Sequence, residues 1–599
     1  MGMKRTSARA RRTGWRLAAV GLACQANMVC AQSQPSGAPT REDLTQQRPP
    51  TATPQRPTRL SVEGGIERAP CPLADPSYAA VTFRIEAVQF DHLEGVSAEA
   101  LKPAWIDDVG KDVPVARLCE IRDQAATILR DKGYLAAVQI PPQRIEKGGT
   151  LIFDVLMARL TRVQVRGDAG NSAPMIERLL AQVAGDGPFN IHVAERRLLL
   201  ARDLPGFDIR LVLRPATDRP GEIIGEALVT RQRIQADINF QNLGSRQVGP
   251  YAGLARLQIN DLTGLGDATV VSFYNTADIN EQTVLGVGHS FAIGTNGLRF
   301  GGDVTYAWSQ PSIGTNRLRS LTLVGSASLS YPLIRRQATT VGSTLGFDYV
   351  DQRVRFGSIP LTTDRLRTFS AGIDAEAIDP ASIGRRAGYS VLEPRWRVRG
   401  NFEVRQGLAS FGASLPCGAN LQNCLPPSVP LSRLAADPQA TILRFGGSAE
   451  FRPFPIFTLA VRTRAQYSGA VLVSYEEIGA GNFTIGRGYD PGALLGDSGV
   501  GVSFEMRLRS GVARDRVGIA WQPYGFYDGA WSWRNDASPF DTNPQHIASA
   551  GVGLRGGWRN HVRFDINVAV PLERAPLATN VGRVRFLFTI TTRLLPWRS

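Results

Sequence analysis

The chain has 599 residues, a formal net charge of +15 and 43% hydrophobic residues, and it is rich in glycine. This length accommodates several domains, or one large closed sheet with additional domains. No run of about 18 apolar residues follows the N-terminal segment, which argues against membrane-spanning helices.

Residues 1–31 have the three parts of a secretory signal peptide. Six basic residues precede Leu17, an apolar run follows, and Val29-Cys30-Ala31 supplies small side chains for cleavage before Gln32. A transmembrane anchor is the alternative, but the apolar run is short and interrupted by polar residues. Because much of the positive charge lies in this segment, and because the signal directs the chain out of the cytosol, we expect no nucleic-acid partner.

Residues 32–72 predict a mobile tether. The segment is rich in Pro, Gln, Thr and Ser and poor in large apolar side chains. Residues 41–47 have the composition for two helical turns, but the prolines that follow stop a helix there.

Four cysteines remain after the signal peptide is removed. Cys71 and Cys119 bracket a folded segment, whereas Cys417 and Cys424 lie close together in a loop. In an oxidising compartment we expect two disulfides, and four cysteines allow three connectivities. Four free thiols would require a reducing compartment, which the signal peptide argues against.

Residues 78–158 and 159–225 predict two small α/β modules in tandem. In the first, residues 81–90 alternate as in a strand, and residues 114–133 carry apolar side chains at helical spacing before further strands. The second repeats this plan, with a strand at residues 160–167 followed by two helices and closing strands.

From residue 226 to residue 599 the sequence predicts a membrane barrel. Segments of strand length alternate apolar with polar or small residues. We identify sixteen, beginning near residues 226, 249, 266, 283, 297, 318, 338, 365, 387, 441, 456, 499, 515, 546, 560 and 581. Connections after even-numbered segments are short and those after odd-numbered segments are mostly longer, as in barrels with periplasmic turns and outer loops. We therefore predict a transmembrane β-barrel of about 16 antiparallel strands, preceded by two periplasmic α/β modules.

A glycine-dense loop is the main candidate for a functional site. Gly486 and Gly488 flank Arg487, so the backbone can form a tight tip that carries a five-donor guanidinium into a confined place. Asp528 is the nearest strong candidate for its carboxylate partner. The alternatives are a surface-loop arginine and an aspartate at a strand end.

Three motifs carry a resemblance to a known family. Gly486-Arg487-Gly488-Tyr489 is similar to a Val-Arg-Gly-Phe/Tyr signature, and Gly496-Asp497 to the Gly-Asp element that follows it. Phe526 and Asp528 match a Phe-x-Asp-x-Gly motif, although the glycine here comes one place early. With the tandem modules and the barrel, these motifs resemble the TpsB transporters of two-partner secretion, the haemolysin and haemagglutinin secretion/activation family within the BamA superfamily.

The resemblance implies two POTRA domains in the periplasm and a barrel in the outer membrane of a Gram-negative bacterium. It implies that residues 469–498, here called the inward loop, enter the barrel lumen and pair there with the wall at Phe526 and Asp528. Family members commonly have an N-terminal helix that plugs the pore. The corresponding stretch here is short and broken by proline, so we do not predict a stable plug.

The resemblance also implies a function and partners. The expected function is the export of an unfolded secreted partner, a TpsA-like exoprotein of haemolysin or adhesin type, recognised through the POTRA domains. Outer-membrane lipid and the barrel-assembly machinery are the other expected partners, and we expect no cofactor, metal site or enzymatic activity. A BamA-like insertase of outer-membrane proteins and a gated pore are the alternatives.

Overall fold

The computed structural model describes residues 39–46, 60–62, 71–144, 149–216, 219–313, 316–384, 388–513, 518–559, 561–576 and 578–595. The predicted signal peptide lies outside the described residues. Among the residues that are described, no helix is long and apolar enough to cross a membrane.

The first module is a small α/β unit. Its elements are β2 Thr82–Arg84, β3 Ala87–Asp91, β4 Asp112–Pro114, α2 Arg117–Asp131, β5 Ala136–Gln139 and β6 Thr150–Met157, with short 3-10 turns at Pro72–Ala74, Pro76–Tyr78, Ala98–Ala104 and Ile106–Asp108. Strand β6 pairs in parallel with β3 and antiparallel with β5. Helix α2 buries Leu118, Ile121, Ala125 and Leu129 against this sheet, because residues three or four apart share one helix face.

The elements of the second module are β1 Leu60–Val62, β7 Arg159–Gly167, α3 Ala173–Ala181, α4 Ile191–Arg202, β8 Phe207–Pro215 and β9 Glu222–Arg231, with a 3-10 turn at Gly170–Ser172. Its strands form a four-stranded sheet in the order β1-β8-β9-β7. The short β1 belongs to the predicted tether and adds itself in parallel to the edge strand β8.

The barrel begins later than the predicted residue 226. Strand β9 spans that position, but it pairs with β7 and β8 of the second module. The reason is burial, since Ile223, Ala227 and Val229 pack into the core of this module beside its helices. The alternating burial along β9 therefore reflects the sheet of the second module and not the wall of a membrane barrel.

A closed antiparallel barrel follows, and its described part has sixteen strands of eight or more residues. They are β10 Ile234–Gln241, β11 Ala252–Asn260, β12 Ala268–Thr276, β13 Gln282–Ile293, β14 Leu298–Ser309, β16 Asn316–Arg335, β17 Thr339–Phe356, β18 Ile359–Ile378, β19 Trp396–Gly407, β20 Thr441–Phe454, β21 Phe457–Ser468, β24 Ser498–Leu508, β25 Ile519–Trp533, β26 Gln545–Trp558, β27 Val562–Pro571 and β28 Arg585–Leu595. The two-residue strand β15 Ser312–Ile313 pairs with the start of β16, and a 3-10 turn spans Pro380–Gly384. Pairing of β10 with β28 closes the barrel, which confirms the predicted fold class.

Side chains alternate between the two faces of the barrel wall. On β24, Phe504 and Met506 are 54% and 62% exposed on the outside, where lipid replaces water, whereas Ser503 and Glu505 are buried on the lumen side. The two-residue period that predicted the strands therefore arises because alternate side chains face the lipid and the lumen.

The second module is fixed to the barrel rim by polar contacts. The guanidinium of Arg335, at the end of β16, donates two hydrogen bonds of 2.7 Å to the carboxylate of Asp203. The backbone N–H of Gln337 donates to Glu195 of α4 (2.6 Å). These contacts place the short β-turns of the barrel at the end that faces the modules.

Part of the predicted tether lies inside the barrel. Residues Arg41–Gln46 form the six-residue helix α1, and Leu44 is only 2% exposed among lumen-facing side chains. Gln352 of β17 donates to the backbone carbonyl of Pro39 (3.0 Å), and Arg464 of β21 pairs with Glu42 (3.0 Å). The two helical turns that the composition of residues 41–47 allows are present, and the helix lies in the lumen although no stable plug was predicted. Although the helix is too short to be stable alone, contacts with the wall hold it.

Candidate functional site

The inward loop turns into the barrel between β21, which ends at Ser468, and β24, which begins at Ser498. Within it, β22 Ile478–Ala480 and β23 Leu494–Gly496 form an antiparallel hairpin. The tip between these strands lies against the lumen side of the wall, where Tyr489 is 5% exposed.

Arg487, at the tip, is bound through all three nitrogens of its guanidinium. Its Nε and Nη2 donate to the two oxygens of Asp528 (2.9 and 2.7 Å), Nη1 donates to Glu505 (2.8 Å), and Nη2 also donates to Ser503 (2.9 Å). The guanidinium carbon lies 3.6 Å from the ring centroid of Phe526, a cation–π contact. The side chain of Asp528 is 1% exposed, so this is a desolvated two-point ion pair.

The backbone of the tip joins the same contact. The N–H of Arg487 donates to Asp528 (3.0 Å). Burial lowers the pKa of the Arg487 guanidinium, but the hydrogen bonds and charges of Asp528 and Glu505 outweigh burial and raise the pKa above its ordinary value. Arg487 is therefore a permanent cation inside the lumen.

Glycines allow the tip to approach the wall this closely. Gly486 has a φ of +120°, which disfavours any residue with a side chain. A Cβ on Gly488 would lie 2.8 Å from the Cβ of Ser549 and 3.0 Å from the backbone nitrogen of Pro571. The site therefore needs glycine on both sides of Arg487.

Tyr489 ties the tip to the next strands of the wall. Its hydroxyl lies 2.7 Å from the backbone carbonyl oxygen of Ala548 and 2.8 Å from that of Glu573, either of which can accept its single proton, and it accepts from the N–H of Glu573 (3.1 Å). These contacts orient the loop independently of the ion pair.

The wall around Arg487 carries alternating charges. Glu505 also accepts from Arg507 (2.8 Å), which in turn pairs with Glu450 (2.9 Å). Arg555 pairs with Asp565 (2.8 Å) on the other side. The sequence motifs did not include Glu505, but strand alternation offers a signal, since residues 503, 505 and 507 share the lumen face of β24.

Gly496 and Asp497 lie at the base of the inward loop and not at its tip. A Cβ on Gly496 would lie 2.8 Å from the Cβ of Ser532 and from the carbonyl oxygen of Trp533. Asp497 is fully buried and accepts from the guanidinium of Arg433 and from the backbone N–H of Leu472 (2.7 Å). This element anchors the loop to its neighbours.

Arg433 belongs to the long outer loop, residues 408–440, and sequence reasoning missed it. Besides Asp497, it donates to Glu477 (3.1 Å) of the inward loop and to Asp536 (2.5 Å) of the connection after β25. One arginine thus joins three loops at the outer end of the barrel.

The cysteines form two disulfides in the structure. Cys71 is bonded to Cys119 in the first module, with an S–S distance of 2.02 Å. Cys417 is bonded to Cys424 in the long outer loop, with an S–S distance of 2.00 Å. The second pair is buried in one cluster with Leu44 of α1, so this loop folds back into the mouth of the barrel.

Three segments therefore occupy the barrel together: α1, the inward loop and the long outer loop. Ion pairs and hydrogen bonds hold them, together with a buried apolar cluster that includes Leu44, Leu431 and Val473. In the part of the chain that the structure describes, no cluster of His, Cys, Asp or Glu is arranged to hold a metal ion.

Comparison with protein families gives two matches. The model of the family described as haemolysin secretion/activation protein ShlB/FhaC/HecB matches residues 227–556, more than half of the chain. The model of the ShlB-type POTRA domain matches residues 83–157, within the first module.

Comparison with individual proteins gives relatives over most of the chain. The heme/hemopexin transporter protein HuxB of Haemophilus influenzae (strain 86-028NP) is 22% identical over 482 residues, covering 78% of this chain and 79% of HuxB. CdiB from Escherichia coli has a similar fold, with a TM-score of 0.64, 15% identity and coverage of 99% of this chain and 100% of CdiB. For CdiB from Acinetobacter baumannii the TM-score is 0.56 with 16% identity, and 97% of each chain is covered.

Proposed function

Because the chain belongs to the haemolysin secretion/activation protein family ShlB/FhaC/HecB and is an outer-membrane transporter with a periplasmic POTRA domain, we propose that its cargo is a large secreted exoprotein of haemolysin or adhesin type. The relative HuxB is a heme/hemopexin transporter, and by analogy this chain serves one dedicated partner protein. The barrel-assembly machinery inserts the barrel itself into the outer membrane.

Capture of the partner takes place in the periplasm. Exposed sheet edges accept an extended polypeptide as an added strand, and backbone hydrogen bonds then give affinity without strict sequence demands. The parallel pairing of Leu60–Val62 with Leu211–Leu213 supports this step, because it is an added strand of the same kind made by the chain's own tether.

The inward loop acts as the gate of the path through the barrel. The observation that carries this proposal is the two-point contact of Arg487 with Asp528, on a loop whose ends lie at the outer face. Breaking one partner of a buried pair costs about 3–5 kcal/mol, and less where water reaches it. The arriving polypeptide passes beside this constriction or displaces it.

No nucleotide is available outside the cytosol. The direction of transport is therefore set by capture of the partner in the periplasm and by its folding outside the cell. The two POTRA-like modules take the unfolded chain on one side of the membrane. On the other side the folded partner cannot return through the lumen.

The test is secretion of a candidate partner. A gene beside this one that encodes a very long, repeat-rich β-helical protein is the candidate, and both are expressed together with tagged partner measured in the medium. We expect secretion with the wild-type chain, and retention in the periplasm when the chain is deleted. Full secretion without this chain would contradict the proposal. Loss of other outer-membrane barrels on deletion would instead indicate an insertase.

A further inference from the structure

A cavity of about 690 Å³ lies in the lumen between α1 and the wall formed by β17 to β21. Its lining includes five arginines but only three acidic residues. Arg487 and Asp528 are not part of it. Three of these arginines, Arg399, Arg444 and Arg464, are paired with Glu376, Glu476 and Glu42, so the space is cationic mainly at Arg462.

Two of the arginines form a track along β21. Arg462 and Arg464 are two residues apart, so their side chains leave the same face of the strand about 7 Å from each other. Arg444 of the neighbouring β20 extends the track, since it is paired across from Gln466 of the same strand. The track thus crosses two strands on the lumen side.

Arg462 is the free member of this track. Its side chain is exposed to the cavity, and no described residue lies within hydrogen-bond or ion-pair distance of it, although the charge of Glu505 reaches it, as do those of Arg487, Arg507 and Arg555. A guanidinium has five donors and binds carboxylates with two parallel hydrogen bonds. In a narrow lumen, an unpaired guanidinium of this kind attracts a carboxylate.

Arg464 already holds a carboxylate. Its Nη2 donates to Glu42 Oε1 of α1 (3.0 Å), and the side chain of Glu42 is only 6% exposed. Because Glu42 belongs to the six-residue helix α1, departure of this helix from the lumen would remove the carboxylate partner of Arg464. At the edge of the cavity, Glu42 of the chain itself thus occupies a carboxylate-binding position.

We infer that the cavity is a binding site for acidic segments of the exported protein, and that Glu42 occupies this site when no partner is present. Alternate side chains of an extended polypeptide are also about 7 Å apart, which matches the spacing of Arg462 and Arg464. Carboxylates of a passing chain then bind the two arginines in turn. This inference rests on the proposed function, because it names what the transported chain offers to the lumen.

Current block in planar lipid bilayers tests the inference with the purified full-length protein. A peptide of alternating glutamate and serine is added on the periplasmic side, with a lysine–serine peptide and free glutarate as comparisons. Glu42→Gln removes the competing carboxylate and is expected to lower the blocking concentration of the acidic peptide about tenfold, the value of one good charge-assisted contact. The double variant R462Q/R464Q is expected to raise it by at least as much.

Arg353→Gln is the matched control. This arginine lies on β17 between Gln352 and Val354, whose buried side chains face the lumen, so it faces the other way. Its substitution is expected to leave the block unchanged. Heat-dependent migration on gels shows whether each variant barrel is folded.

The inference would be overturned if the acidic peptide blocked R462Q/R464Q and the wild type equally. It would also be overturned if the lysine–serine peptide blocked the wild type as strongly as the acidic peptide does. Block by glutarate at the same concentration as the peptide would also overturn it, because the site would then serve small anions. These currents need no partner protein. Normal secretion by R462Q/R464Q with unchanged block rejects the inference alone, whereas absent secretion by the wild type rejects the proposed function alone.

Discussion

Arg433 of the long outer loop and Asp497 at the base of the inward loop form a buried ion pair, although 64 positions separate them in sequence. The same guanidinium binds Asp536, so three loops at the outer end of the barrel share one cation. The base of the inward loop is therefore fixed from outside, while its tip is fixed at Asp528.

Removal of Arg433 should open this outer closure. Arg433→Ala leaves Glu477 and Asp497 buried without their cation, at a cost of about 3–5 kcal/mol to the closed arrangement. We expect a larger open-channel current in bilayers and faster hydrogen exchange in the long outer loop. Arg365→Ala, which changes an exposed arginine of β18, is the control and should change neither. Unchanged current in Arg433→Ala would contradict the role of this pair.

The same closure should depend on pH. Burial raises the pKa of Glu477 to about 7; the charges of Arg433 and Arg534 oppose this, whereas the negative charges of Asp497 and Asp536 add to it. The folded protein thus holds this proton more tightly than the unfolded chain. The stabilising contribution of Glu477 is present below its ordinary pKa of 4.5 and is lost as pH rises through 7.

We therefore expect hydrogen exchange of residues 471–477 to speed up, after correction for intrinsic rates, between about pH 5 and about pH 8. Glu477→Gln mimics the protonated side chain and should remove this dependence. A pH profile of Glu477→Gln that follows the wild type would assign the dependence to another group.

The close approach at Gly488 should be intolerant of a methyl group. Gly488→Ala puts a Cβ 2.8 Å from that of Ser549, so the tip has to withdraw and the contact of Arg487 with Asp528 lengthens. We expect secretion of the partner to fall by about tenfold or more, as for loss of one charge-assisted contact. Gly469→Ala, in the same loop with no atom within 4 Å of its Cβ, is the matched control and should secrete normally. Normal secretion by Gly488→Ala would show that the tip need not sit at the wall.

The second module should loosen from the barrel when Arg335 is changed. Arg335→Ala removes both hydrogen bonds to Asp203, whose side chain is 37% exposed, so we expect a loss of about 1–2 kcal/mol at this interface. Limited proteolysis between the module and β10 measures the effect, and Arg336→Ala, its exposed neighbour, is the control. The charge-swapped pair Asp203→Arg/Arg335→Asp should restore protection; failure to restore it would indicate loss of fold instead of loss of the contact.

The parts of the fold that sequence predicted best are the strands, in which side-chain polarity repeats every two residues for a physical reason. The barrel strands alternate because one face meets lipid and the other meets the lumen, and this period is visible in single segments such as residues 498–508. The same period misplaced the start of the barrel, because β9 is also buried on alternate positions, but inside the second module.

The parts that sequence did not predict depend on contacts between distant segments. Residues 41–47 have a composition that allows two helical turns, but contacts with distant strands, such as Glu42 with Arg464, place the helix in the lumen. Arg433 has no motif of its own, since its carboxylates come from three places in the chain. The pairing of Arg487 with Asp528 was accessible because both lie in motifs, and their function as a gate stays a prediction.

Arg487 and Asp528 should work as one gating unit, and a double-mutant cycle on secretion tests this most directly. Arg487→Gln and Asp528→Asn are made singly and together, with partner in the medium normalised to the amount of folded barrel. Since each single change already breaks the pair, we predict that both impair secretion and that the double variant is no worse than the worse single variant. Losses that add in the double variant would contradict the claim.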